Sequence, residues 1–143
     1  RDKHQFDLWA WVIMPEHVHM LIYPRAGEYK IEKILASIKK PVSYKAIQFV
    51  KEHAPEFLEE LTVRNANRTY HRFWQAGPGY DANLDDLEAI YSAIEYIHNN
   101  PVRRGLVACA TDWLWSSARD WAGLGHPHLT VDRTLPPLHP DGQ

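Results

Sequence analysis

The sequence has little of several features that would assign it to a particular class. Its single cysteine, Cys109, cannot form a disulfide within the chain, so nothing in the sequence indicates an oxidising compartment. No apolar run reaches the roughly 20 residues that a membrane-spanning helix needs. The first residues do not resemble a signal peptide either. We therefore expect a cytoplasmic protein.

A basic excess is also absent, because 16 Lys and Arg stand against 18 Asp and Glu and the formal net charge is −2. Proteins that bind nucleic acid usually carry an excess of positive charge, so any such binding here must depend on a local cluster. The six Trp and seven Tyr suit both a core and a surface that stacks on bases.

The 143 residues suffice for one domain, and hydrophobic periodicity predicts the element order β–β–α–β–α. That order predicts an α+β sandwich with an antiparallel sheet. Pro41 is expected to interrupt the first helical region, and Pro101 to end the last long helix. In chain order we expect strands at 6–14 and 17–23, helical stretches at 31–38 and 42–53, a short strand within 62–75, a helix at 85–99, and a short helix within 113–121.

His17 and His19 flank Val18 in a run that is otherwise apolar on both sides. Residues of a strand alternate between faces, so both imidazoles are expected on one side, where they form a metal site that lacks a third ligand. Two exposed polar residues at a strand end are the more common explanation of His-x-His alone. The apolar surroundings favour a ligand role, because burying polar groups without partners is costly.

Tyr96 and Asn100 are four residues apart, so they share one face of the predicted helix. A phenol and an amide oxygen on that face can serve as nucleophile and metal ligand. On the local pattern alone, a core tyrosine and an asparagine that caps the helix before Pro101 are the more common arrangement. His98 lies on a different face and is expected at the surface.

Two parts of the chain together resemble one family. Residues 11–22 read Trp-Val-Ile-Met-Pro-Glu-His-Val-His-Met-Leu-Ile and look like the HUH motif (His, hydrophobic residue, His) of the insertion-sequence-200-like single-tyrosine transposases. These residues resemble the REP-associated tyrosine transposases more closely than they resemble the wider group. The C-terminal half of that group is similar to residues 73–75, 79–81, 96–107 and 112–118, and its most specific part is Asn-Pro-Val-Arg-Arg-Gly-Leu-Val. The similarity covers residues 8 to 121.

This resemblance implies a ferredoxin-like or RRM-like antiparallel sheet with helices packed on it and the HUH strand at its centre. The family has a strand and a helix ahead of that strand, which we do not expect in this chain. The catalytic domain is therefore expected to span residues 1–122 and to be N-terminally incomplete, and residues 123–143 to form an irregular tail.

The resemblance also implies an enzyme that cleaves and rejoins single-stranded DNA through a 5′-phosphotyrosine intermediate. Tyr96 is the implied nucleophile. His17, His19 and Asn100 are the implied ligands of a divalent metal, Mg or Mn. Mixed imidazole and amide ligands suit such an ion, with substrate oxygens completing its shell, better than a closed zinc site.

The expected partner is single-stranded or hairpin DNA, bound by a monomer or a homodimer. Basic residues lie along the middle helices and beside the helix that carries Tyr96, away in sequence from the acidic run at 81–88. This separation would reconcile a local basic surface with a net charge of −2. The residues we expect to bind DNA are Lys39, Lys40, Arg72, Arg103 and Arg104.

The sequence leaves two other functions open. A metal-dependent phosphodiesterase would act through water, with Tyr96 merely structural, and would form no covalent DNA adduct. A domesticated relative would bind hairpin DNA without cutting it.

If a covalent DNA–protein adduct forms, mass spectrometry should place the DNA on Tyr96 and not on Tyr80. Tyr80 follows a flexible Gly-Pro-Gly loop, whereas a nucleophile benefits from a rigid support. A phosphotyrosine mapped to Tyr80 would overturn the roles of both tyrosines.

Overall fold

The computed structural model describes residues 1–77, 79–125 and 128–137, and it divides into two compact units. One unit comprises Arg1–Tyr29 with Ala82–Gln143, and the other comprises Lys30–Asp81. The elements in chain order are β1 (Phe6–Ile13), β2 (Val18–Pro24), α1 (Ile31–His53), β3 (Thr62–Asn65), β4 (Arg68–His71), α2 (Leu87–Arg103) and α3 (Ala118–Trp121), with 3₁₀ turns at Asp2–His4, Pro55–Leu58 and Ala110–Asp112.

The first unit is built around the antiparallel hairpin β1–β2. Phe6 lies opposite Pro24 and Ile13 opposite Val18, with a register shift between Leu8 and Ala10. Seven of the eight β1 residues are buried, whereas β2 is mostly half-buried. The apolar run of β1 is therefore explained by burial on both faces, as in a strand at the centre of a core.

The edge of β1 that faces away from β2 is covered by the chain that precedes α3. Val12 bridges Ser116, Ile13 N donates to Trp115 O at 2.8 Å, and Ser117 N donates to Trp11 O at 2.9 Å. Ser116 and Ser117 are fully buried. An uncovered strand edge would leave backbone groups unpaired, and these bonds satisfy them. β1 is thus the internal strand, and β2, which was expected at the centre, pairs with β1 alone among the described residues.

Helix α2 packs on β1 through Ile94 and Ile97, which are buried with Ala10, Val12 and Met14. It begins at an N-cap, where the Asp86 side chain accepts a hydrogen bond from Ala89 N at 2.7 Å. The predicted end at residue 99 was wrong, because α2 continues through Pro101 to Arg103. Pro101 has no N–H to donate, but the carbonyl of the residue before it still accepts a helical hydrogen bond: Arg104 N donates to Asn100 O at 3.1 Å.

The second unit contains α1 and the hairpin β3–β4. Pro41 was expected to divide the helix, yet α1 is continuous over 23 residues with Pro41 inside it. The single short strand predicted within 62–75 is a hairpin in which Thr62 pairs with His71. Trp74 lies beyond the end of β4, and its indole N–H donates to Lys39 O on α1 at 2.9 Å.

The described part of the C-terminal tail, residues 123–125 and 128–137, has neither helix nor strand; residues 126–127 and 138–143 of the predicted irregular tail lie outside the described residues. It nevertheless packs on β1. Val131 is buried, and Asp132 accepts a hydrogen bond from Leu8 N at 2.8 Å through its carboxylate. The antiparallel strand pairs with helices packed on them confirm the α+β class. Within the described residues, no helix combines the length and apolar character needed to cross a membrane.

His98, which was expected at the surface, is half-buried and joins α2 to Ser117, in the chain that covers β1. Its Nε2 lies 2.9 Å from Ser117 Oγ, which also accepts a hydrogen bond from Trp11 N at 2.9 Å. Burial lowers the pKa of His98 from 6.5 to about 4. The neutral imidazole is therefore part of the folded structure at neutral pH.

Acidification should destabilise the parent chain more than the variant His98→Gln. Between pH 6.5 and about 4 the unfolded state binds a proton at His98 that the folded state does not, so the free energy of unfolding falls as the pH falls. From about pH 7 to about pH 5 we expect a relative loss of about 1–2 kcal/mol. Urea unfolding of both proteins at the two pH values measures it, and equal losses would exclude a buried neutral His98.

Candidate functional site

The turn between β1 and β2 positions His17 and His19. Met14 N donates to His17 O at 2.8 Å, which closes the turn and places His17 immediately before β2. The two imidazole rings lie with their centroids 4.7 Å apart and their planes 79° apart. Both rings therefore lie on one side of the hairpin, as predicted, and the prediction that they share a metal remains to be tested.

Tyr96 reaches the same place from α2. Its ring centroid lies 5.7 Å from that of His19, with the planes 78° apart. The Tyr96 side chain is 47% exposed, while Ile94 and Ile97 on the neighbouring face of α2 are buried against β1. Tyr96 therefore faces His19 across the interface between helix and sheet, as expected, and its ring remains accessible to a ligand. For Asn100 the same expectation remains a prediction. We call His17, His19 and Tyr96 the ring cluster.

Asn100 lies one turn after Tyr96 and is 6% exposed. Its backbone carbonyl accepts a hydrogen bond from Arg104 N. The ring contacts join His17, His19 and Tyr96. The place of Asn100 in the last turn of α2, on the face of Tyr96, fits the predicted third ligand, whose role remains a prediction.

The electrostatics of the histidine pair suit a metal ligand. Partial burial and the neighbouring His17 lower the pKa of His19 from its ordinary value of 6.5. A lower pKa keeps the imidazole neutral at neutral pH, and only a neutral imidazole can bind a metal ion.

Two imidazoles do not complete a metal site by themselves. Across the described ranges, no three side chains of His, Cys, Asp or Glu converge in an arrangement that could hold an ion. The nearest acid, Glu16, has an Oε2 3.9 Å from His17 Nδ1, but it is also 3.0 Å from Arg104 Nη2. The two histidines therefore fit an open site, whose remaining positions further donors such as oxygens of a substrate would fill.

The two arginines at the end of α2 have different surroundings. The guanidinium carbon of Arg103 lies 4.9 Å from the centroid of the Tyr96 ring. Arg104 Nη2 donates to both carboxylate oxygens of Glu16, at 3.0 and 3.1 Å. Local pattern indicated neither Glu16 nor Arg103 as a neighbour of the ring cluster. The spacing of seven residues between Tyr96 and Arg103, two helical turns, could have indicated the second contact.

The remaining residues that we expect to bind DNA lie in the second unit, and two of them, Lys39 and Arg72, lie beside an aromatic ring. Lys39 Nζ is 5.9 Å from the Trp74 ring, and the Arg72 guanidinium is 5.5 Å from the Tyr70 ring, whose hydroxyl accepts a hydrogen bond from Arg72 Nη2. Lys40 is exposed on α1. Cations beside aromatic rings suit a chain of phosphates and bases, but the DNA-binding role of these residues remains a prediction.

Tyr80 has none of the support that α2 gives Tyr96. Its side chain is 94% exposed and lies in the loop before α2. This placement agrees with the choice of Tyr96 as the nucleophile.

Comparison with known proteins gives one consistent set of relatives, although no protein-family model matches the sequence. The chain is 28% identical over 133 residues to the REP-associated tyrosine transposase of Escherichia coli (strain K12), a match covering 86% of this chain and 66% of that protein. It is 26% identical to a putative REP-associated tyrosine transposase of Haemophilus influenzae, covering 91% of this chain and 73% of that protein.

The fold is similar to a solved structure of a REP-associated tyrosine transposase bound to a REP hairpin. The TM-score is 0.52 and the sequence identity is 26%, over 93% of this chain and 68% of the other. The chain thus spans slightly less than two thirds of the Escherichia coli relative, and a little more than two thirds of the other two proteins.

Replacing His17 or His19 with Ala should weaken Mn²⁺ binding by more than about tenfold. Each variant removes one of two imidazole ligands, and even the loss of a group that only supports a ligand costs about tenfold. Electron paramagnetic resonance of free Mn²⁺ near neutral pH measures the affinity. The control is His53→Ala, an exposed histidine at the end of α1. Binding by His17→Ala equal to that of the parent would remove the histidine pair as a metal site.

Proposed function

We propose that this chain, a homologue of the REP-associated tyrosine transposases, cleaves and rejoins single-stranded DNA next to a hairpin. The observation that carries the proposal is the ring cluster, because it places an accessible phenol on a rigid helix beside two histidines held by a strand hairpin. A solvated phenol and a pair of imidazoles are the groups that covalent phosphoryl transfer needs, namely a nucleophile and ligands for a metal ion.

In the reaction, Tyr96 Oη attacks the phosphorus of a DNA phosphodiester. The bond between Oη and phosphorus forms as the bond from phosphorus to the 3′ oxygen breaks. The phenol proton passes to solvent, and the departing 3′ oxygen takes up a proton. The products are a 5′-phosphotyrosine and a free 3′-hydroxyl, so the energy of the phosphodiester is conserved and the reverse attack rejoins DNA.

A divalent metal, Mg or Mn, would be held by His17, His19 and the amide oxygen of Asn100. When bound, such an ion polarises the phosphate and neutralises charge that develops on its oxygens. The chain itself contributes the orientation of these groups. The β1–β2 turn orients the histidines, and the packing of α2 on β1 orients Tyr96.

Hairpin DNA is the partner that we propose, because the structural relative is described as bound to a REP hairpin. Each unit of the chain carries cations beside aromatic rings that suit nucleic acid. Lys39, Lys40 and Arg72 would contribute in the second unit, and Arg103 and Arg104 in the first. Binding would then depend on local basic surface and not on the net charge of −2.

The second candidate function is hairpin binding without cleavage. The observation that favours it is the incomplete ligand set, since within the described residues no three side chains of His, Cys, Asp or Glu converge on one point. Hairpin binding needs no complete metal site, whereas catalysis also requires groups held within fractions of an ångström.

The variant Tyr96→Phe should abolish the covalent DNA adduct while changing the affinity for hairpin DNA by less than about threefold, well under 1 kcal/mol. Only the attacking oxygen is lost, and the ring that contacts His19 and Arg103 remains. The assay incubates a labelled REP hairpin carrying single-stranded flanks with the protein and Mn²⁺, and measures adduct by denaturing electrophoresis and affinity by fluorescence anisotropy.

Tyr80→Phe is the matched control, because it removes a phenol from an exposed loop and should form adduct at the parent rate. Cleavage by Tyr96→Phe at the parent rate would favour a metal-dependent phosphodiesterase that acts through water. Tight binding by the parent without adduct or cleavage would favour the non-catalytic hairpin binder.

A further inference from the structure

Two consecutive arginines end α2, and their charges are used differently. Arg104 is paired with Glu16 through two hydrogen bonds to one carboxylate. Arg103 is exposed, and within the described residues it belongs to none of the ion pairs of the first unit. Its contact is the Tyr96 ring, 4.9 Å from the guanidinium carbon to the ring centroid.

A guanidinium that lies on an aromatic ring leaves its donors available. The ring can engage only the part of the cation that faces it, whereas the guanidinium carries five N–H donors, so several of them remain for a ligand. These donors match two oxygens of one phosphate. The ring contact also holds the cation beside the phenol, so a phosphate bound by Arg103 lies next to the oxygen that would attack it.

We propose that Arg103 binds the phosphate that Tyr96 attacks, and that Arg104 instead holds the β1–β2 turn through Glu16. The inference rests on the proposed function, and it assigns to one arginine a role in the chemical step itself. As Tyr96 Oη bonds to phosphorus and the 3′ oxygen departs, negative charge accumulates on the two non-bridging oxygens. Arg103 donates hydrogen bonds to these oxygens and transfers no proton.

The neighbouring arginine is the less suitable candidate, for a geometric reason. Its charge is already paired, through Nη2, with the carboxylate that precedes His17, so a phosphate would have to compete with that carboxylate. The pair between Arg104 and Glu16 instead connects the end of α2 to the turn that carries the histidines.

The variant Arg103→Met tests the proposal, because it keeps an unbranched apolar side chain over the Tyr96 ring and removes only the donors and the charge. In single-turnover reactions with the REP hairpin at saturating protein, we expect the rate of adduct formation to fall by about 10²-fold or more, as for loss of a donor to a transition-state oxyanion. Arg103→Lys should fall between Arg103→Met and the parent, since it keeps a charge without the planar fork.

Lys3→Ala is the control for the loss of one positive charge. Lys3 is exposed in the N-terminal 3₁₀ turn, and its replacement should leave the rate within about twofold of the parent. Near-ultraviolet circular dichroism and thermal melting compare the folded states of the variants. Arg103→Lys provides the comparison if Arg103→Met does not fold.

A substitution in the DNA separates phosphate binding from a merely structural role. The cleaved position is first mapped from the parent adduct, and its phosphate is then replaced by an uncharged methylphosphonate. Affinities are measured in a Tyr96→Phe background, with and without Arg103→Met. With the phosphate we expect Arg103→Met to weaken binding by about tenfold, the size of a hydrogen bond to a charged group. With the methylphosphonate we expect less than about twofold.

The outcomes distinguish the two proposals. An adduct rate for Arg103→Met within threefold of the parent would overturn the role of Arg103 and leave the proposed function intact. The same tenfold loss of affinity with phosphate and methylphosphonate would likewise overturn phosphate binding by Arg103. Failure of the parent to form any adduct with the REP hairpin would overturn both proposals.

Discussion

The packing of Ile94 and Ile97 on β1 is the contact on which the rest of the candidate site depends. Burying an isoleucine side chain contributes about 1.5–3 kcal/mol, so this pair holds α2 firmly on the internal strand. The same helix carries Tyr96 on its next face, and the same strand continues through a turn into His17 and His19. An apolar contact therefore sets the distance between a phenol and two imidazoles that are about 80 residues apart in sequence.

Internal strands need both edges satisfied, and β1 meets that need without a second long strand. Ser116, Ser117 and Asp132 supply backbone and side-chain partners on the edge opposite β2. His98 adds a further bond to Ser117 from the third face of α2. Each face of this helix thus has a separate use: one packs on the core, one presents Tyr96 and one ties the helix to the chain that covers β1.

The charges near the site are distributed so that one cation is available to a ligand. Arg104 forms an ion pair with Glu16, and the exposed Arg103 lies beside the Tyr96 ring. The pKa of His19 is lowered, so this imidazole does not add a competing positive charge at neutral pH. A chain with a net charge of −2 can in this way present positive potential at one position, which bulk composition does not reveal.

Local pattern by itself determined the hairpin, the long helices and the shared side of His17 and His19, because alternation and helical periodicity act between near neighbours. Helix α2 continues through the fully buried Pro101, where tertiary packing offsets one lost hydrogen bond, and α1 continues through the exposed Pro41. Tertiary packing also produced the contact of Tyr96 with His19, the ion pair of Arg104 with Glu16 and the partial burial of His98. These contacts join residues distant in sequence, and only the packing of α2 on β1 brings them within reach of each other.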